Sequence, residues 1–334
     1  MSPSLLVVVT LSVVLLAGGT VLWQEHDLGL ANIQHEQLAR HRNVLMGRAP
    51  NPWRYRVLAE WVAEGFIDGA QMVGASRPVV VGYLALRLLQ NGLLFATAFA
   101  YYRRLGMDAR RALIGIMIFA SACTYANFNS DLSVNTYFDV LFYLLAALSV
   151  LSAGPWWLLL AIGALASLNR ETSGLIPLLP LAKWVAHPRA AVRQWRRLTW
   201  LPIAGLAIWL AIFLGLRVWI GSPPQSWQAE WGYTPGLPTI AMNLSSHLTL
   251  MYLVVTFSIL PVLVLWEFGS LPDFLRGLFW LMVPGWLALH IAMVPANETR
   301  IFLVPIVLVL IPGALYRRGL KPVTQPLSIA STDD

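Results

Sequence analysis

Residues 24–56 read QEHDLGLANIQHEQLARHRNVLMGRAPNPWRYR and form a polar stretch in a chain that is mostly apolar. The stretch follows the apolar run 4–23 and opens with two carboxylates, Glu25 and Asp27, on either side of a histidine. It closes in a turn that is rich in arginine and aromatic side chains. The side of a membrane on which this stretch lies therefore sets the topology of the whole chain.

The composition is that of a membrane protein. Of 334 residues, 57% are hydrophobic and only 12% are charged, whereas about a quarter of a soluble domain is charged. Several apolar runs approach the ~18 residues expected of a helix that spans a lipid bilayer. The net charge of +7 fits arginines that face anionic lipid headgroups, so we expect no nucleic-acid partner.

We predict an all-α, polytopic transmembrane bundle of about ten helices. It forms a single transmembrane domain over residues 1–321, and a polar, disordered cytoplasmic tail follows at 322–334. The predicted spans are 4–23, 79–101, 112–126, 137–153, 155–168, 173–186, 199–220, 247–266, 278–294 and 301–316.

Lysines and arginines cluster in three short loops, which share one side if ten spans alternate. By the positive-inside rule that side is cytoplasmic, so both termini are cytoplasmic and the chain lies in the plasma (inner) membrane. The basic residues are Arg103, Arg104, Arg110 and Arg111, then Lys183, Arg189, Arg193, Arg196 and Arg197, then Arg317, Arg318 and Lys321.

The same alternation places the remaining distinctive polar groups on the outer side. Four of the five predicted outer loops carry them, and the first of these loops is residues 24–78. This convergence is the main functional signal in the sequence. The groups are Glu25 and Asp27, then Asn127, Asn129 and Asp131, then Arg170 and Glu171, then Glu298 and Arg300.

The first outer loop contains amphipathic patterns. In 55–72, apolar residues recur at helical spacing and acidic residues face the opposite side, as in a helix that lies in the headgroup plane. Residues 31–46 form a weaker candidate of the same kind. The apolar positions are Val57, Leu58, Trp61, Val62 and Phe66, and the acidic ones are Glu60, Glu64 and Asp68.

The charged groups among apolar runs have two interpretations. A charge at membrane depth costs ~2.5–3.5 kcal/mol on insertion scales, so it faces a cavity or a partner. The Arg170–Glu171 and Glu298–Arg300 pairs are either anion-binding groups or structural ion pairs between helices. Arg87, which shares a helical face with Gln90 and Asn91, either lines a polar pocket or joins helices.

No metal site is predicted, because the histidines do not have the spacing of metal ligands. They include His35, His41, His247 and His290. The sequence leaves open whether the protein uses a divalent metal.

The arrangement resembles the GT-C superfamily of integral membrane glycosyltransferases, whose large first outer loop opens with an acidic motif such as ExD. Here Glu25-His26-Asp27 stands directly after the first span, and MGRAPNPWRYRVLAEW (46–61) is similar to the turn that enters an interfacial helix in such proteins. LASLNRETSGLIPLLPLA (165–182) is similar to an apolar segment with an embedded Arg-Glu pair in bacterial members.

The resemblance implies transfer of a sugar from a polyprenyl-phosphate donor to a glycan, lipid or protein acceptor at the non-cytoplasmic face. Asp27 or Glu25 would be the base that activates the acceptor hydroxyl. Arginines would neutralise the phosphate as it leaves. The residues implied for the donor phosphate are Arg170, Arg300, Arg54 and Arg56, with Asp131, Glu171, Glu298 and Arg87 in a supporting polar pocket.

Other functions stay open. A transporter or flippase for a lipid-linked or anionic solute would use Arg87, Arg170 and Arg300 to line its path. A membrane acyltransferase would need a histidine placed for base catalysis, which the sequence pattern does not indicate. A polysaccharide polymerase or ligase would be expected to have a larger late outer loop than 221–246.

Overall fold

The structure is a computed structural model, and the residues that it describes are 2–124, 126, 132–182, 195–221 and 234–316. In the helix that begins at residue 195, side chains are described from residue 199 onward. Asp131, the predicted tail 322–334 and the basic residues at 183–193 and 317–321 lie outside the described residues.

The described part of the chain is all-α, as predicted. Short 3-10 and π-helical turns connect the longer helices, among them Trp53–Tyr55, Glu171–Leu178 and Thr299–Phe302. The longer helices are α1 (Pro3–Leu28), α2 (Leu38–Leu45), α3 (Val57–Met72), α4 (Pro78–Arg104), α5 (Ala109–Thr124), α6 (Val134–Leu151), α7 (Trp156–Ser167), α8 (Trp195–Ile220), α9 (Leu237–Ser245), α10 (His247–Phe257), α11 (Leu260–Trp266) and α12 (Asp273–Met293).

The predicted number of about ten spans is wrong. Among the described residues, five helices are long and apolar enough to cross a membrane, or six if the bent pair α9 and α10 counts as one span. These five are α1, α4, α6, α12 and residues Thr199–Ile220 of α8. The chain therefore has the composition and helices of a multi-pass membrane protein with fewer long spans than its apolar runs indicate.

Three of the predicted spans are too short or too irregular. The run at 155–168 forms the 12-residue helix α7, which is about 18 Å long at ~1.5 Å per residue and is therefore shorter than a hydrocarbon core of ~30 Å. The run at 112–126 forms the 16-residue α5. The run at 173–186 begins as a 3-10 helix, Glu171–Leu178.

The run at 301–316 shows why hydropathy overcounts the spans. It is a series of short 3-10, α and π-helical pieces, and residues 301–313 are all buried inside the bundle. An apolar segment that is surrounded by protein has the same composition as one that faces lipid, so hydropathy does not distinguish them.

Residues 24–78, the predicted first outer loop, contain the predicted helices, with a different buried face. α3 packs against α4 through small residues, including Ala59, Ala63 and Ala70, whereas Trp61 remains exposed. Glu60, predicted to lie on the polar face, is buried instead. The position of these helices in the headgroup plane stays a prediction.

Polar side chains within the membrane bundle join helices to one another. Gln90 Nε2 donates to the Val134 carbonyl over 2.9 Å, and Asn91 Nδ2 donates to Thr20 Oγ1 over 2.8 Å. These bonds fasten α4 to α6 and α1. The helix-joining interpretation of the polar face of α4 is therefore the one that the structure shows for these two residues.

Helix α12 approaches the chain at Ala182 so closely that only glycine fits. A Cβ on Gly277 would overlap the Ala182 backbone carbonyl, whereas a Cβ on Gly285 of the same helix would meet nothing within 4 Å. We expect Gly277→Ala to reduce the free energy of unfolding by about 2–3 kcal/mol through overpacking, and Gly285→Ala to raise it by up to about 1 kcal/mol, because alanine favours the helix more than glycine does. Denaturation of both variants in detergent tests this, and equal stability would contradict the packing.

Candidate functional site

The ends of several helices enclose a cleft of about 290 Å³. The turn at 51–56, the start of α6, the segment after α7, and the ends of α8 and α12 contribute to it. We call it the arginine cleft. Its lining residues are Asn51, Pro52, Trp53, Arg56, Asn135, Thr136, Arg170, Glu171, Thr172, Arg217, Leu289, His290, Met293, Val294, Glu298, Arg300 and Ile301.

Arg170 is the most deeply held cation of the cleft. It is 7% exposed, its Nη1 lies 3.8 Å from the fully buried carboxylate of Asp139, and it donates to Thr136 Oγ1 over 3.2 Å. Its Nε is buried with no hydrogen-bond partner among the described residues. Burial and, secondarily, the nearby charge of Arg56 lower the pKa of the Arg170 guanidinium to about 10, so it stays charged at neutral pH.

Two further arginines reach the cleft with glutamate partners. Arg56 contacts Glu171 Oε2 through Nε at 3.3 Å and Nη2 at 3.1 Å. Arg300 contacts Glu298 Oε2 through Nε at 3.1 Å and Nη2 at 2.9 Å, and its Nη1 donates to Ser133 Oγ. These contacts fix the orientation of the two planar guanidinium groups, and such groups are common partners of phosphate and carboxylate.

The lining of the cleft carries more positive than negative charge. Four arginines face two glutamates, and the fourth arginine, Arg217, stacks over the Phe213 ring at 3.4 Å and the Tyr55 ring at 4.4 Å. A concave, partly buried site with an excess of cations concentrates anions. Phosphate and carboxylate are the ligands that this geometry favours.

The two neighbouring arginines predicted for the donor phosphate separate in the structure. Arg56 lines the cleft, but Arg54 Nη2 donates to the Ile220 carbonyl over 2.6 Å and lines a different hollow with Trp61 and Trp219. Arg54 is the middle residue of the 3-10 turn Trp53–Tyr55 and Arg56 follows the turn, so the two side chains point in different directions. The structure therefore places Arg54 at the end of α8 and outside the cleft.

Glu25 and Asp27 lie in the last turn of α1, and neither is among the residues that line the cleft. Glu25 is half-buried and Asp27 is exposed. The buried polar residue of this turn is Gln24, whose Nε2 donates to Tyr137 Oη over 2.8 Å. Catalysis by Glu25 or Asp27 stays a prediction, and the described cleft does not contain them.

Arg87 also lies outside the cleft. It is fully buried, donates to Gln90 Oε1 over 2.7 Å, and lies over the Tyr137 ring at 3.8 Å from its centroid. It therefore contributes to the packing of α4 against α6. Asp131, the remaining residue of the predicted polar pocket, is outside the described residues.

Sequence reasoning did not identify several residues of the cleft. Asn135 and Thr136 start α6, and His290 lies in the last turn of α12. The spacing of the histidines does not predict a role for His290 as a metal ligand, and the described residues contain no group of three or more His, Cys, Asp or Glu that could hold a metal ion. The sequence signal available for His290 was its position at the end of a predicted span, next to a predicted outer loop.

Comparisons with known proteins do not assign this cleft. No protein-family model, no curated protein and no solved structure matches the chain. The function is therefore inferred from the geometry of the arginine cleft and from the resemblance carried by the sequence motifs.

Proposed function

We propose that this protein is a membrane glycosyltransferase that takes a sugar from a polyprenyl-phosphate donor, with the arginine cleft as the donor-phosphate site. The observation that carries the proposal is the convergence of Arg56, Arg170 and Arg300 on one cleft at the ends of apolar helices. A lipid-linked phosphate combines an anion with a chain that partitions into the bilayer. The cationic cleft would bind the phosphate, and the apolar helices around the cleft reach the bilayer in which the polyprenyl chain lies.

The chemistry follows from the placement of charge. When the bond between the anomeric carbon and the phosphate oxygen breaks, negative charge builds on the phosphate. Fixed cations in a partly buried site stabilise that charge more strongly than water does. Arg170, which is buried and oriented by Asp139 and Thr136, meets this requirement best.

The proposed location is the plasma (inner) membrane, with the cleft on the non-cytoplasmic side and both termini in the cytoplasm. This topology requires an even number of crossings, so shorter apolar segments would have to cross besides the five long helices. The turn between α4 and α5 carries Arg103, Arg104, Arg110 and Arg111, which supports a cytoplasmic position for that turn. The acceptor would then be a glycan, lipid or protein outside the cytoplasm.

A transporter for a lipid-linked or anionic solute is the second candidate. It is supported by the 79° bend between α9 and α10, since interrupted helices line substrate sites in many transporters. Asn243 at this bend donates to the carbonyls of Ile291 and Val294, and Val294 lines the cleft. Movement of the lipid-linked phosphate across the membrane without a covalent product would favour this candidate.

Donor binding provides the test. The purified full chain in lipid nanodiscs is titrated with a polyprenyl monophosphate and with the uncharged polyprenol. We expect Arg56→Gln to weaken binding of the phosphate about 10- to 100-fold, because a hydrogen bond to a charged group contributes about 1.5–3 kcal/mol. Binding of the polyprenol should not change.

Arg48→Gln is the matched control, because Arg48 is an exposed arginine of the same loop and does not line the cleft. Incubation of the wild type with radiolabelled polyprenyl-phosphate hexoses and pentoses then measures transfer to membrane lipid or water. Binding that is equal for the phosphate and the polyprenol would contradict the proposed donor site.

A further inference from the structure

His290 has the geometry of a proton acceptor in the arginine cleft. It lies in the last turn of α12, is only 5% exposed, and lines the cleft together with Arg170 and Arg300. The histidine is thus enclosed by protein and still faces the space that a ligand would fill.

The hydrogen bond of the ring fixes its tautomer. His290 Nδ1 lies 2.8 Å from the backbone carbonyl oxygen of Trp286. A carbonyl oxygen only accepts, so Nδ1 carries the proton and donates it. In the neutral ring the lone pair is then on Nε2, the nitrogen that is free to accept a proton.

Packing fixes the orientation of the ring. It stacks on the Trp286 indole with centroids 4.8 Å apart and planes at 19°, and the centroid of the Phe302 ring lies 6.2 Å away with the two planes at 60°. Trp286 is itself anchored, because its Nε1 donates to the Ile301 carbonyl over 2.7 Å. The imidazole ring is therefore held against the segment that also carries Arg300.

The carboxylates in or directly behind the cleft are already engaged with cations. Glu171 accepts from Arg56, Glu298 accepts from Arg300, and Asp139 lies beside Arg170 and accepts from Thr172 Oγ1 over 2.8 Å. Protonation of any of them would weaken a charge-assisted contact. Of the described lining residues, His290 offers a basic nitrogen that is not committed in this way.

We propose that His290 is the general base that activates the acceptor hydroxyl, an inference that rests on the proposed transfer function. The acceptor oxygen forms a bond to the anomeric carbon while its proton passes to His290 Nε2. The bond from that carbon to the phosphate oxygen breaks, and its electron pair leaves with the polyprenyl phosphate. Arg170 and Arg300 hold that phosphate, and the imidazolium then returns its proton to water.

The test compares donor binding with transfer in the full chain. We expect His290→Gln to bind a polyprenyl monophosphate within about threefold of the wild type and to transfer sugar at least ~100-fold more slowly, since general-base catalysis contributes about 10²–10⁴. Added imidazole should restore part of the transfer in His290→Ala. His247→Gln, a change at an exposed histidine, is the matched control.

A second measurement needs no variant. Diethyl pyrocarbonate, which acylates neutral imidazole, should modify His290 and the exposed His26, and polyprenyl monophosphate should protect His290 alone. His41, which contacts a carboxylate at both ring nitrogens, should resist modification.

The outcomes separate the two proposals. If the wild type transfers sugar but His290→Gln does so within threefold of it, or if His290 resists the reagent while His26 reacts, the assignment of the base is wrong and the transfer function stands. A wild type that neither binds the phosphate nor transfers sugar overturns both proposals. If His290→Gln does not fold, the modification experiment decides.

Discussion

Replacing Arg170 by glutamine is expected to destabilise the protein by about 3–5 kcal/mol and to abolish binding of the donor phosphate. The substitution leaves the Asp139 carboxylate, which is 0% exposed, without its cation, and breaking a buried ion pair from one side carries a cost of about this size. Unfolding of the variant in detergent and titration with a polyprenyl monophosphate measure the two effects.

A double variant separates the structural effect from the functional one. Arg170→Gln with Asp139→Asn removes both charges, so we expect most of the stability to return while phosphate binding stays absent. Arg48→Gln, at an exposed arginine outside the cleft, should change neither property. An Arg170→Gln protein that is as stable as the wild type would contradict the buried pair, and full phosphate binding by the double variant would contradict the donor site.

The second large effect is expected at His41, which joins α2 to α3. Its Nδ1 lies 2.7 Å from Glu60 Oε2 and its Nε2 lies 2.5 Å from Glu64 Oε2, while Tyr83 Oη donates to Glu60 over 3.1 Å. Both ring nitrogens must donate to satisfy two carboxylates, so the ring is an imidazolium. We expect His41→Gln to reduce the free energy of unfolding by about 2–3 kcal/mol.

The His41 contacts also make the stability depend on pH. Burial alone would lower the pKa of His41, but the hydrogen bonds and charges of Glu60 and Glu64 outweigh it and raise the pKa above the ordinary value of 6.5. A raised folded pKa means that this contribution is fully present below about pH 6.5 and is lost as the pH rises through the folded value.

Unfolding measured between pH 6 and pH 9 tests this prediction. Wild-type stability should fall by at most ~1.4 kcal/mol per pH unit in the window between the two pKa values, and the slope should disappear in His41→Gln. His26→Gln, at an exposed histidine, should keep the wild-type slope. The same slope in His41→Gln as in the wild type would show that another group titrates.

Charge within an apolar chain was the most informative sequence signal. Because Arg170, Glu171, Glu298 and Arg300 interrupt apolar runs, topology alone could group them, and the structure brings all four to one cleft. The same reasoning did not separate Arg54 from Arg56, which point in different directions because Arg54 lies within the 3-10 turn and Arg56 follows it. Arg54 and Arg56 are two positions apart, so no sequence pattern distinguishes their side-chain directions.

The remaining differences come from tertiary packing. Hydropathy counted residues 301–316 as a span because residues 301–313, which are buried in protein, are as apolar as a segment in lipid. The partners of His41 lie on another helix, and the cleft that His290 lines is built from several helices and turns, so neither role has a local signature. The position of Glu25 and Asp27 relative to the cleft likewise depends on where α1 ends, at Leu28.

The central claim is that the arginine cleft holds the phosphate of a lipid-linked donor. The most direct measurement is photo-crosslinking of the full chain in nanodiscs with a polyprenyl monophosphate that carries a diazirine next to the phosphate, followed by mapping of the labelled peptides. Labelling should concentrate on residues 289–301 and 169–172, should fall in Arg56→Gln and should be absent with the matching polyprenol probe. Equal labelling by the two probes, or labelling confined to other segments, would contradict the claim.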